Sequence, residues 1–269
     1  VLNAFTLRYR YSTILLKQLV KTDFKLRYQG SVLGYLWSLL RPLFLFVTLY
    51  FVFAKFLKVG ANVPHYPVYL LLGIVLWNYF AEVTVGSVGA IVGKGDLMRK
   101  INFPKYVVIF AGSFSAIINL LLNFVVIAIF MILTKVSISW QAVLIVPLLL
   151  ELFVISIAVA FFLSALFVRF RDISYIWEVI MQAAFYATPI LYPLTRIPHR
   201  FAKVLILNPV AQIIQDSRYV LVTRKTITIN QVYGGDKFIW LIPLAITLFV
   251  VFLAATYFRS RSKYFAEEV

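Results

Sequence analysis

The chain contains no cysteine, only two histidines and only ten acidic residues among its 269. Without cysteine there are no disulfides, no thiolate metal sites and no cysteine nucleophile. The histidines, His65 and His199, lie far apart, each beside a proline and away from any carboxylate cluster. A metal site is therefore not expected. The Asp and Glu residues are scattered, which argues against paired acid–base carboxylates and a catalytic centre. Charge as a whole is scarce: 13% of residues are charged and 62% hydrophobic, with a mean hydropathy of +0.92. An ordinary soluble domain has about 25% charged and about 45–50% apolar residues. A water-soluble fold needs more polar surface than this, and disorder needs low hydrophobicity. An integral membrane protein remains.

A spanning helix takes about 20 mostly apolar residues. Six stretches meet or approach that length: Gly34–Leu57, Pro67–Val92, Tyr106–Leu133, Ala142–Val168, Ser174–Tyr192 and Phe238–Phe258. An even number places both termini on one side. With that side cytoplasmic, inner segments hold 16 Lys and Arg against 10 outside, and 7 of those 10 sit in one loop, Pro193–Lys237. This asymmetry predicts cytoplasmic termini. The net charge of +16 falls in short segments between apolar runs. That pattern suits an anionic leaflet and anionic amphiphiles rather than nucleic acid.

Two regions depart from simple spans. In residues 1–33, Lys17, Lys21 and Lys25 recur every four positions opposite Leu15, Leu16, Leu19 and Leu26, which predicts an amphipathic helix on the membrane surface. The stretch carries basic residues throughout and no clean apolar core, so no cleavable signal is expected there. Between spans five and six, residues 191–237 hold Pro193, Pro198 and Pro209 and two apolar runs too short to span, Val204–Leu207 and Val210–Ile214. Two short re-entrant helices broken near Asn208-Pro209 fit that pattern. The expected fold is all-α, with six transmembrane helices over residues 34–269.

Little chemistry can be assembled. Gly93-Lys94-Gly95 has Val88 where a phosphate loop needs glycine and Gly95 where it needs Ser or Thr, so no nucleotide site is expected on this chain. Glu82 and Glu151 fall deepest in apolar runs, where a charge costs at least about 2.5–3.5 kcal/mol. They are either carboxylates paired between packed helices or parts of a pathway, and a channel or proton-coupled carrier would use them so. Aromatics are abundant. Tyr35, Trp37 and Tyr50 on span one, with Tyr175, Trp177 and Tyr186 on span five, are candidates to line a conduit on which sugar rings stack.

Five segments carry a family resemblance. Lys25-Leu26-Arg27-Tyr28, with Ser31-Val32-Leu33-Gly34-Tyr35-Leu36-Trp37 and Arg41-Pro42-Leu43, resembles the opening of ABC-type polysaccharide exporter permeases, the membrane subunits for teichoic acid, O-antigen and capsule export. Leu97-Met98-Arg99-Lys100-Ile101-Asn102-Phe103-Pro104-Lys105 resembles their cytoplasmic segment between spans two and three. Phe170-Arg171-Asp172-Ile173 matches the loop after span four, and Thr188-Pro189-Ile190-Leu191-Tyr192 and Asn208-Pro209 match the end of span five and the outer region.

The resemblance implies a bacterial cytoplasmic-membrane permease that binds no cofactor of its own. Its partners would be a second copy of itself, two ATPase subunits carrying ATP and Mg, membrane lipids, and a polyprenyl-pyrophosphate-linked polysaccharide. Asp96, Leu97, Met98, Arg99 and Lys100 would form a coupling helix on the ATPase, and Arg171 and Asp172 a smaller contact. Arg27 and Arg41 would attract the pyrophosphate, and residues 191–237 would form an outer gate. An exporter of drugs or small lipids, and a membrane-embedded glycosyl- or phosphotransferase, are the competing readings.

Overall fold

The computed structural model describes residues 12–23, 25, 31, 33–100, 103–236, 238–262 and 264–265. Among them the regular structure is helical throughout. Helix α1 covers residues 12–23, with Leu15, Leu16 and Leu19 against the core and Lys17 and Lys21 exposed, as the four-residue spacing predicts. Arg27 and Leu26 lie outside the described residues.

Helix α2 (Trp37–Tyr50) continues through Phe51–Phe56 in a wider π-type turn. It is followed by α3 (Tyr66–Val88), α4 (Gly95–Lys100), α5 (Tyr106–Leu133) and α6 (Ile145–Arg169), which opens with a tight turn over Trp140–Leu144. Then come α7 (Ile173–Ala187), α8 (His199–Ile206), α9 (Pro209–Leu221), α10 (Ile229–Val232) and α11 (Leu241–Arg261). Five of these segments are long and apolar enough to cross a membrane: Trp37–Phe56, Tyr66–Val88, Tyr106–Leu133, Trp140–Arg169 and Leu241–Arg261.

The fifth apolar stretch behaves differently from the 19-residue run read in the sequence. Helix α7 has 15 residues, about 22 Å at 1.5 Å per residue, short of the ~30 Å hydrocarbon core. It stops at Ala187 because the residue before a proline is driven out of the helical region. Thr188, preceding Pro189, is extended at φ −76°, ψ 139°.

The centre of the bundle is α3, apolar on every face and therefore a buried helix. Of its most apolar 18 residues 78% are buried, against 11% for α2 and 33% for α5. It packs on α5, α6, α2, α7 and α9, while α11 packs on α6. Helix α6 turns Ser156, Ala158, Ala160, Ser164 and Ala165 inward, the small side chains that let helices approach closely in lipid. The apolar residues left exposed on α5, α6 and α11 form the lipid-facing belt.

Two ends of the bundle are distinguishable. One carries α4 and the α6–α7 turn, hereafter the α4 end. The other carries the segment between α2 and α3 and residues 188–236, hereafter the α8 end. A small second core there joins Leu194, Ala202, Ile206, Ile229, Val232 and Ile239.

Candidate functional site

At the α4 end, Asp96, Leu97 and Lys100 lie on α4, whose Leu97 packs against the core while Asp96 and Lys100 are exposed. The side chains of Met98 and Arg99 fall outside the described residues. Just before α4, Lys94 donates to both carboxylate oxygens of Asp23 at 2.9 and 3.0 Å, tying α1 to this segment. Just after it, Lys105 donates to the Ser262 carbonyl at 2.6 Å and lies over the Phe265 ring. Arg171 and Asp172 are exposed in the α6–α7 turn, with the Arg171 guanidinium 5.2 Å from the Phe167 ring. Asp96, Leu97, Lys100, Arg171 and Asp172 thus share one end, braced by α1 through Asp23 and by Ser262 and Phe265.

Between α2, α3 and α5 lies a cavity of about 910 Å³, lined by polar groups at membrane depth. Its origin is visible in α2. Pro42 lacks an N–H, so the Ser38 carbonyl one turn earlier loses its helical partner. Asn123 of α5 donates to that carbonyl at 3.3 Å and to the Asn119 carbonyl at 2.8 Å. Asn119 in turn donates to Glu82 Oε1 of α3 at 2.8 Å. Arg41, Asn78 and Trp37 line the same space, Trp37 being 44% exposed. The Tyr79 hydroxyl, also on the lining, is buried with no hydrogen-bond partner among the described residues. Arg41, Glu82, the amides and the Trp37 indole form a polar patch in a lining that also includes Leu45, Val75, Val85 and Leu120, so the cavity offers both polar and apolar contacts.

Of the five sequence-picked aromatics whose side chains are described, Trp37 alone lines this cavity. Tyr50 packs on Phe46 and Phe51. Trp177 is partly buried against the core, and Tyr175 and Tyr186 are exposed on α7. The Tyr35 side chain is outside the described residues. Glu151 sits on α6, apart from the cavity lining.

The sequence reading missed the clasp at the α8 end. Arg218 of α9 is fully buried and spends its guanidinium on three backbone carbonyls: Nε on Tyr69 at 2.9 Å, Nη1 on Pro189 and Nη2 on Ile190, both at 2.6 Å. The same group stacks 3.7 Å from the Tyr69 ring centre. Tyr66 donates to the Leu191 carbonyl at 2.6 Å. Carbonyls that Pro189 and the end of α7 leave without helical partners are thereby satisfied. Glycine at position 73 makes the clasp possible, since a Cβ there would lie 2.2 Å from Arg218 Nη2. Tyr192 donates to the Tyr186 and Ala187 carbonyls, and burial pushes its phenol above the ordinary value, so it stays a donor.

Five apolar helices of membrane length make this a multi-pass membrane protein. Residues 14–222 match the ABC-2 type transporter family, and the chain belongs to it. It is 27% identical over 267 residues to the O-antigen export system permease protein RfbA of Myxococcus xanthus, covering 97% of each chain. It is 30% identical over 201 residues to a protein of the same name from Klebsiella pneumoniae, covering 74% of this chain and 77% of the relative.

Proposed function

We propose that this chain is the transmembrane subunit of an ATP-driven exporter that moves a polysaccharide, carried on a polyprenyl diphosphate, across the bacterial cytoplasmic membrane. The observation that carries the reading is the polar cavity between α2, α3 and α5, set in a permease whose relatives are named for O-antigen export. The cargo has three incompatible parts. Its lipid stays in the bilayer, while the diphosphate and the sugars need a polar, protein-lined route. Arg41 suits the diphosphate by charge, and the Asn78, Glu82 and Asn119 groups suit sugar hydroxyls, with the Trp37 indole offering a stacking face.

In this reading the α4 end is cytoplasmic, α7 with its extended continuation makes a sixth traverse, and both termini are inside. Two copies of the chain pair with two ATPase subunits. Segment 96–100 seats on an ATPase subunit, with Arg171 and Asp172 as a lesser contact. Closure of the ATPases on ATP becomes rigid-body motion of the spans. The α8 end is then the outer gate, held shut by Arg218.

Deletion of the chain in its source cell tests this. The expected result is loss of surface polysaccharide with lipid-linked glycan accumulating inside, restored by the chain only when its ATPase partner is intact. Surface glycan at normal levels in the deletion strain overturns the reading.

A further inference from the structure

A second pocket, of about 250 Å³, lies at the α8 end between the α2–α3 connection, residues 193–196 and residues 225–227. Its lining brings together Arg196 and Lys225 with Asn62, Thr195, Thr226 and Tyr69. A space of that volume is on the order of 8 Å across, comparable to the ~8 Å screening length at physiological salt. Both side chains are exposed at the pocket and neither has an anionic partner among the described residues.

We propose that this pocket is an anion site for a phosphate ester, with Arg196 and Lys225 supplying charge and Asn62 a hydrogen-bond donor. The Arg196 guanidinium offers the planar fork that matches two phosphate oxygens, and Lys225 the compact charge. Among the described residues no acidic side chain lines the pocket to compete with the anion. The volume corresponds to roughly eight waters, room for a phosphate or diphosphate and its bridging solvent. Tyr69 gives the site a mechanical connection. Its carbonyl and ring hold Arg218, so an anion bound in the pocket touches the anchor of the clasp. The phosphate has two sources: the headgroup of an anionic phospholipid in the adjacent leaflet, or the diphosphate of the lipid-linked cargo. Only the second rests on the export reading.

The test is amine-labelling of the full chain, with inorganic pyrophosphate as probe and each lysine followed by mass spectrometry. In phosphatidylcholine vesicles, pyrophosphate is expected to slow Lys225 labelling on the order of tenfold near saturation, to leave Lys203 unaffected, and to lose its effect in Arg196→Gln. In phosphatidylglycerol vesicles, Lys225 protected before pyrophosphate is added identifies the headgroup as occupant. Lys225 labelled there until pyrophosphate is added identifies a diphosphate. Lys225 labelled equally with and without probe in both vesicle types, or protection that survives Arg196→Gln, overturns the site. Neither of those results touches the export reading, which stands or falls on surface glycan.

Discussion

Arg218 shows how one side chain fixes an irregular segment. A buried guanidinium is costly unless it is hydrogen-bonded, and here three of its five N–H donors meet the Tyr69, Pro189 and Ile190 carbonyls while its face lies on the Tyr69 ring. Arg218→Met strands those carbonyls, at about 1–3 kcal/mol for each that finds no water, and should lower the thermal unfolding temperature in detergent. Gly73→Ala makes a sharper prediction. By helix propensity alone it would stabilise α3 by about 1 kcal/mol, yet a Cβ 2.2 Å from Nη2 must expel the guanidinium. The clash wins, so Gly73→Ala should destabilise, and the double variant with Arg218→Met should cost no more than Arg218→Met alone. In the cavity, Asn119→Leu removes the donor to Glu82 and fills the polar space. It should slow glycan export while leaving the amount of assembled complex unchanged, measured by pulse-chase of surface glycan beside co-purification.

The elements at the α4 end raise a question of magnitude. The Lys94–Asp23 pair is only partly buried, with side chains 24% and 26% exposed, and such pairs contribute about 0–1 kcal/mol. Its effect is expected on position rather than on stability, because it ties α1 to the turn that leads into α4. Asp23→Lys should leave unfolding nearly unchanged and reduce co-purification of the ATPase subunit. Adding Lys94→Asp, which restores both the pair and the net charge, should restore it, and failure of the swap to restore binding would remove the pair as the cause. Helix α7 was legible in outline. The apolar run was read through to Tyr192, past the Thr188-Pro189 step that ends the helix at Ala187, whereas Asn208-Pro209 announced the break between α8 and α9, where the Asn208 side chain caps the Val210 N–H at 3.0 Å. The depth of α9 was not legible. Ten of its thirteen residues are buried, several of them polar, and a short run with Gln, Asp and Arg reads as a surface loop until its neighbours are known.

For the assembled molecule, the proposed pairing of two copies makes a prediction about α7. In the single chain Glu178 and Gln182 are exposed on α7, as are Tyr175, Val179 and Tyr186. Polar groups at membrane depth face protein or water rather than lipid. The apolar faces of α6 and α11, with Val146, Leu150, Phe249 and Phe252 exposed, suit lipid instead. The cysteine-free sequence makes this a clean experiment. Val179→Cys should cross-link two copies in membranes, whereas Phe249→Cys should not, and dimer bands from both would remove α7 as the seam.

The amino-acid order alone established a helical membrane protein, five of its six apolar stretches as membrane-length helices, a helix over residues 12–23 and the break at Asn208-Pro209. Each of these depends on composition and period over some ten to twenty consecutive residues, which a linear reading contains. Asn119 and Asn123, four apart on α5, went unread, because nothing in the run itself shows what they meet. Folding was needed to reveal the cavity, the Arg218 clasp and the cationic pocket. Their partners are separated by 37 residues for Asn119 and Glu82 and by 149 for Arg218 and Tyr69. Polar satisfaction inside a bilayer is a matter of distance in space, and only the packed helices bring those groups within reach.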